Sequence, residues 1–150
     1  MAASAWSVFW TAKKRLGQTG FSLSTTTKFR MSLHKTSASA NLLSGVASTF
    51  GQISFMASGG GVNAEGQTLD SPTWASTAAG VYTFDCANEV YSPTSSALTS
   101  VRYAVIRMSS GAVTSGFPLC YAALSTQSFD VGADSTLTVQ MATTGIFTLT

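Results

Sequence analysis

Between residues 26 and 34, apolar and polar side chains alternate without a break. Phe29, Met31 and Leu33 share one face, and Lys28, Arg30, Ser32 and His34 share the other. This period of two predicts a strand with one side buried and a basic side turned to water. Further strands are predicted over residues 73–78, 80–88, 101–108, 117–124, 135–141 and 146–149. The segment 101–108 is the strongest of them, being β-branched and aromatic. Pro118 falls near the start of its strand, where a missing N–H is tolerated. Residues 4–16 follow a different period: Trp6, Phe9, Trp10 and Lys13 fall at helical spacing, with Leu16 just beyond and Gly17 as a stop. Residues 41–50 read as a helical turn or loop, and 52–56 as a short strand or the end of that turn. Loops are expected over 58–72, opened by Gly59-Gly60-Gly61, and over 91–99, with a turn at Ser109-Ser110-Gly111.

Seven or eight short strands separated by turn signals predict a mainly β protein, an antiparallel sandwich or barrel-like domain with one short N-terminal helix. The boundaries follow: residues 1–20 form a helical arm and residues 21–150 a single β domain. The predicted core contains Phe29, Met31, Leu33, Phe84, Val105, Leu119, Leu137, Val139 and Phe147.

Composition narrows the class. The chain has 150 residues, 45% of them hydrophobic, enough for one core. Charged residues are only 9%, whereas Ser and Thr together reach about 29%, about twice their usual share. Hydrophobicity this high and a net charge of only +2 exclude highly charged disorder. No apolar run approaches the length of a membrane-spanning helix. The basic triplet Lys13-Lys14-Arg15 follows the apolar N-terminal stretch instead of preceding it, so no secretory signal is expected. A surface of Ser, Thr, Gly and Ala suits close packing against other subunits, where desolvating charges costs stability.

The charges are unevenly placed. Lys13, Lys14, Arg15, Lys28, Arg30 and Lys35 all lie in the first 35 residues, which hold no acid. The rest carries Arg102 and Arg107 against Glu65, Asp70, Asp85, Glu89, Asp130 and Asp134. This asymmetry fits a solvated basic face, or charge complementarity between copies or with an acidic partner. The two tryptophans and one phenylalanine of the predicted helix form a large apolar patch. It either packs on the domain's own sheet or anchors into a neighbour, where Trp is favoured.

No reaction centre stands out. His34, the one histidine, has no acid within thirty residues and reads as structural or solvent-exposed. Asp130 and Asp134 resemble fragments of a calcium loop that lacks its remaining ligands. The glycine run has no following Lys-Ser/Thr for phosphate. Ser44-Gly45 and Ser115-Gly116 lack the flanking glycine of a nucleophile elbow. The basic field is too narrow for a nucleic-acid reader. Cys86 and Cys120 sit in predicted strands with no metal-ligand spacing and are expected as buried free thiols, with a single disulfide the alternative. No cofactor, nucleic acid or membrane partner is expected.

Three blocks carry a resemblance. The first is the aromatic N-terminal segment 5–17 with the strand 27–37 behind it. The second is the strand Arg102-Tyr103-Ala104-Val105-Ile106. The third is the end of the chain, 135–149, closing on Gly145-Ile146-Phe147-Thr148-Leu149. In this order they resemble a group of small virion structural proteins of tailed bacteriophages. The resemblance implies a non-enzymatic particle component, assembled in the bacterial cytoplasm, where thiols stay reduced. It implies as partners the major capsid protein or neighbouring virion proteins. The first expectation is a capsid decoration (cement) protein, a trimer whose Trp6, Phe9, Trp10, Lys13, Lys14 and Arg15 make the anchoring contacts. The alternative is a neck or tail component, such as a tail-tube, terminator or fibre-adaptor subunit, forming rings. A receptor- or glycan-binding module, with Trp74 and Tyr91 as loop aromatics, ranks below both.

Overall fold

The computed structural model describes residues 4–16, 23, 29–38, 42–53, 56–109 and 116–149. The predicted positions of Lys28, Gly17, Ser110, Gly111 and Ser115 lie outside them.

The architecture is mainly β, antiparallel throughout and sandwich-like, with one α-helix near the N-terminus. Among the described residues there are eleven strands: β1 (Ser7–Val8), β2 (Phe29–Lys35), β3 (Gln67–Thr68), β4 (Thr73–Ala78), β5 (Val81–Asp85), β6 (Glu89–Tyr91), β7 (Leu98–Met108), β8 (Phe117–Ala123), β9 (Phe129–Val131), β10 (Leu137–Val139) and β11 (Phe147–Leu149). The helix α1 spans Trp10–Leu16. The main sheet runs β1-β8-β7-β2-β3, and β9 pairs with the start of β7. A three-stranded sheet, β11-β5-β4, and a β10-β6 pair complete the set.

The central pair is β2 and β7, in register from Phe29↔Met108 to His34↔Tyr103. Residues directly opposite share a face. Phe29, Met31, Leu33, Ala104 and Ile106 therefore point to one side, and Arg30, Ser32, His34, Tyr103, Val105 and Arg107 to the other. The first side meets the three-stranded sheet: Phe29 contacts Phe84 at 4.9 Å between ring centroids, and Phe84 stacks on Phe147 at 5.4 Å. Tyr91 joins this layer, donating its hydroxyl to the Met31 carbonyl at 2.7 Å. The second side is covered by α1 and residues 42–53. Phe9 packs on Tyr121 (5.1 Å), and Phe50 presents its ring to His34 (5.7 Å, nearly edge-on). Each buried phenylalanine contributes roughly 1.5–3 kcal/mol by leaving water.

This layering corrects the half-exposed reading of β2. Its predicted polar face is not turned to water: Ser32 and His34 are buried and Arg30 is only partly exposed. The alternation marks two faces correctly, but both are covered. The predicted core residues are buried, except Leu137, which packs half-buried against the core. Both thiols are free and buried; Cys120 lies in β8, whereas Cys86 follows the end of β5.

The predicted helix 4–16 divides in two. Residues 4–9 run extended along β8, with Ser4 N–H donating to the Ala123 carbonyl (2.8 Å) and Phe9 N–H to that of Leu119 (3.0 Å). Only from Trp10 does the chain turn helical. A sheet edge offering paired backbone bonds outweighs the modest propensity encoded by a helical period. The expected loop 58–72 contains β3, which pairs with β2, and the bridge Gly59↔Val62. Gly66 makes the β3 approach possible: a Cβ there would collide with the Met31 carbonyl. Of the segment 52–56, residues 54–55 lie outside the described residues. A 3-10 turn spans Phe50–Gln52, and Met56 bridges to His34. The expected loop 91–99 gives Tyr91 to β6 and its last residues to β7.

Candidate interaction surface

Where α1 begins, the Trp10 N–H donates to the Gly45 carbonyl at 2.9 Å, and Thr11 Oγ1 donates to the Ala47 carbonyl at 2.7 Å. Gly45 sits in a tight turn, its N–H returning to the Leu42 carbonyl at 3.0 Å with φ at +62°, a conformation that favours glycine. The turn exposes the residues on either side of it. Trp10 is 61% exposed, Leu43 67% and Val46 60%. Three large apolar side chains thus face water at one corner of the molecule. Beside them a shallow hollow of about 150 Å³ is lined by Ser44, Val46, Ala47 and Gln52. The Gln52 carboxamide oxygen accepts from Ser48 N–H (2.6 Å), Ser48 Oγ (3.2 Å) and Thr49 N–H (3.2 Å), which fixes the floor of that hollow.

The cations lie on the same helix. Lys13, Lys14 and Arg15 are all exposed, in the last turn of α1, where positive charge suits the helix dipole. Lys14 Nζ is 5.9 Å from the Trp10 ring centroid, and the Arg15 guanidinium lies 4.5 Å from that of Phe117. Their contacts are to aromatic faces. Among the described residues the single ion pair is Arg30–Glu65, at 2.9 Å.

The six residues expected as anchors are therefore divided. Trp10, Lys13, Lys14 and Arg15 come together at the surface. Phe9 is fully buried in the chain's own core, and Ala12 lies behind it. Trp6 lies in the extended segment, half-buried, on the wall of a groove of about 630 Å³ that Leu124, Met141 and Ile146 also line. Sequence reasoning missed Leu43 and Val46. A Leu-Leu-Ser-Gly-Val run gives no sign of which leucine is buried; in the fold it is Leu42.

Two constellations resemble chemistry and differ from it in detail. Ser32 Oγ and His34 Nε2 are 2.9 Å apart, but both are buried beneath Phe50 and face protein. Next to them Arg107 is fully buried, its guanidinium 4.3 Å from the Phe50 ring and Nη2 donating to the Glu65 carbonyl at 3.1 Å. Burial lowers its pKa, Arg30 adds to this and Glu65 opposes it; a guanidinium remains charged nonetheless. The second constellation is acidic. Asp70, Asp85 and Glu89 gather around Cys86, with Glu89 Oε1 accepting from Asp70 N–H (3.0 Å) and Asp85 Oδ1 from Cys86 N–H (2.9 Å). Burial, then Glu89, Asp85 and Asp70 in turn, push the Cys86 thiol up to about 12. Burial and Asp70 raise Glu89, against the hydrogen bond from the Asp70 backbone. No group of three or more potential metal ligands occurs among the described residues.

Asp130 caps a bulge: its Oδ1 accepts from the N–H of Ser100, whose φ is +57°. Tyr91, expected as an exposed loop aromatic, is fully buried. Trp74 instead stacks on the exposed Tyr82 at 5.7 Å. Among the described residues no helix is long and apolar enough to cross a membrane. The chain matches no protein-family model, no curated protein and no solved structure.

Proposed function

We propose that this chain is a non-enzymatic structural subunit of a tailed-phage virion, a capsid decoration protein that strengthens the head lattice. The observation that carries the reading is the Trp10–Leu43–Val46 corner. It is apolar, exposed, held by backbone hydrogen bonds on both sides, and flanked by Lys13, Lys14 and Arg15. Interface centres favour Trp over other surface residues, and a rigid mount keeps the ordering cost of docking low. A chain with 9% charged residues has little of the mixed charge that keeps a free monomer apart from its neighbours. The phage setting comes from the sequence blocks at 5–17, 102–106 and 145–149. A neck or tail ring subunit is the second reading, since the same corner serves any neighbour in the particle.

Copy number separates the two. Quantitative mass spectrometry of purified particles should give a ratio to the major capsid protein near unity for decoration, and a few per cent for a ring. Purified protein should also bind heads that lack it, and Trp10→Ser combined with Leu43→Ser should abolish binding while leaving the fold intact. Absence from particles overturns the reading.

A further inference from the structure

Two groups, each of like charge, lie on opposite sides of the main sheet. Lys13, Lys14 and Arg15 belong to α1, which covers the face of Val105 and Tyr121. The exposed Asp70 and the half-buried Asp85 belong to the layer on the other face, the side of Phe29 and Phe84, where Glu89 is buried with Oε1 accepting from Asp70 N–H. Neither group finds its counter-charge within the described residues, where the one ion pair uses Arg30 and Glu65. On the cationic side, exposed apolar surface comes from Trp10, Leu43 and Val46; on the acidic side Val90, next to Glu89 in the chain, is 47% exposed.

We infer that the cationic corner of one copy docks head to tail onto the acidic side of a second copy. The cationic corner and the surface carrying Asp70 and Asp85 each combine charge without an ion-pair partner among the described residues with exposed apolar area, and they are opposite in sign. Two like corners meeting would oppose charge to like charge, which disfavours a two-fold contact. A contact between two different surfaces is heterologous and propagates until a ring closes. This names the partner of the corner and rests on the assembly role proposed above only in expecting a closed symmetric particle. Ion pairing steers and registers the contact, whereas Trp10 supplies the apolar anchor.

The test is sedimentation of the isolated full chain at low and high ionic strength. The wild type should associate, and added salt should weaken the association by screening. Two charge variants should each stay monomeric. One is Lys13→Glu, Lys14→Glu and Arg15→Glu together. The other is Asp70→Lys with Asp85→Asn, which alters an exposed side chain and keeps an acceptor for Cys86 N–H. Mixed in equal amounts, the two should associate again, since the unaltered cationic corner of the second meets the unaltered acidic side of the first, and the reversed pair of surfaces is complementary as well. Trp10→Ser should weaken wild-type association roughly tenfold or more while the far-ultraviolet spectrum stays native. A wild type that sediments as a monomer at its highest soluble concentration overturns the inference, as does a mixture of folded variants that fails to recover. If the monomer nevertheless binds phage heads, the virion role stands and only self-docking falls. If the chain associates but no particle contains it, self-docking stands and the virion role falls.

Discussion

Toward the three-stranded sheet, β2 presents Phe29, Met31 and Leu33 to Phe84 and its neighbours. Toward α1, the same strand presents Arg30, Ser32 and His34, and β7 adds Arg107. The two faces are covered to a similar degree by different means. The apolar face is held by area and shape, so its energetics scale with the volume a mutation removes. The polar face is held by pairing. Ser32 bonds His34, Arg107 bonds the Glu65 carbonyl, and Glu65 bonds Arg30. There, loss of one member leaves a desolvated partner behind. One strand can thus serve two kinds of core, provided each polar group finds its complement.

The comparison can be broken most directly at its two centres. Phe84→Ala should cost about 3–5 kcal/mol of unfolding free energy, read from the denaturant midpoint at unchanged slope. A loss below about 1 kcal/mol would mean that this face is loosely filled. Arg107→Ala should cost about 3 kcal/mol, because it vacates the space above Phe50 and leaves the Glu65 carbonyl without its donor. Arg107→Met refills the space and removes the buried charge, so its cost should be smaller, about 1 kcal/mol. Equal losses for the two variants would show that neither the refilled space nor removal of the buried charge offsets the lost donor to the Glu65 carbonyl.

Glu89 sharpens the contrast, because it places a carboxyl in the layer on the apolar side of the sheet. Its pKa in the folded chain lies above the ordinary value of 4.5, chiefly through burial. A raised carboxyl favours the folded state when protonated. That contribution is complete below about 4.5 and is lost as the pH rises through the folded value. Glu89→Gln keeps an acceptor for Asp70 N–H and removes the charge. Its melting temperature should therefore match or exceed the wild type at pH 7, and the advantage should vanish below about pH 4.5. An advantage that grows with acidity would reverse the assigned direction. The thiols give the smallest effect to detect. With Cys86 pushed up to about 12 and Cys120 also raised by burial, neither should react with thiol reagents at pH 8 until the protein unfolds.

Much of the sheet was legible from period and residue type. β4, β5, β7 and β8 fall where alternation and β-branched runs place them, because four or more residues of pattern outlast a local error. β1, β3, β6 and β9 are two or three residues long, and each exists because a neighbouring edge offers backbone bonds. No pattern of that length distinguishes them from loop. The candidate site divides in the same way. Trp10 and the cations at residues 13–15 were visible as types, whereas Leu43 and Val46 join them only through the turn at Gly45.

Composition and period alone establish a β protein low in charge, with six of its eight Lys and Arg residues in the first 35 positions and every acid beyond them. Period also establishes which side chains of β2 share a face, since alternation is fixed by covalent geometry. The tertiary structure decided whether each face meets water. Burial depends on what the rest of the chain lays over a strand, and here α1 and residues 42–53 cover the side that looked exposed. The same packing buried Phe9, left Trp10 outside, and set the cationic and acidic surfaces on opposite sides of one sheet.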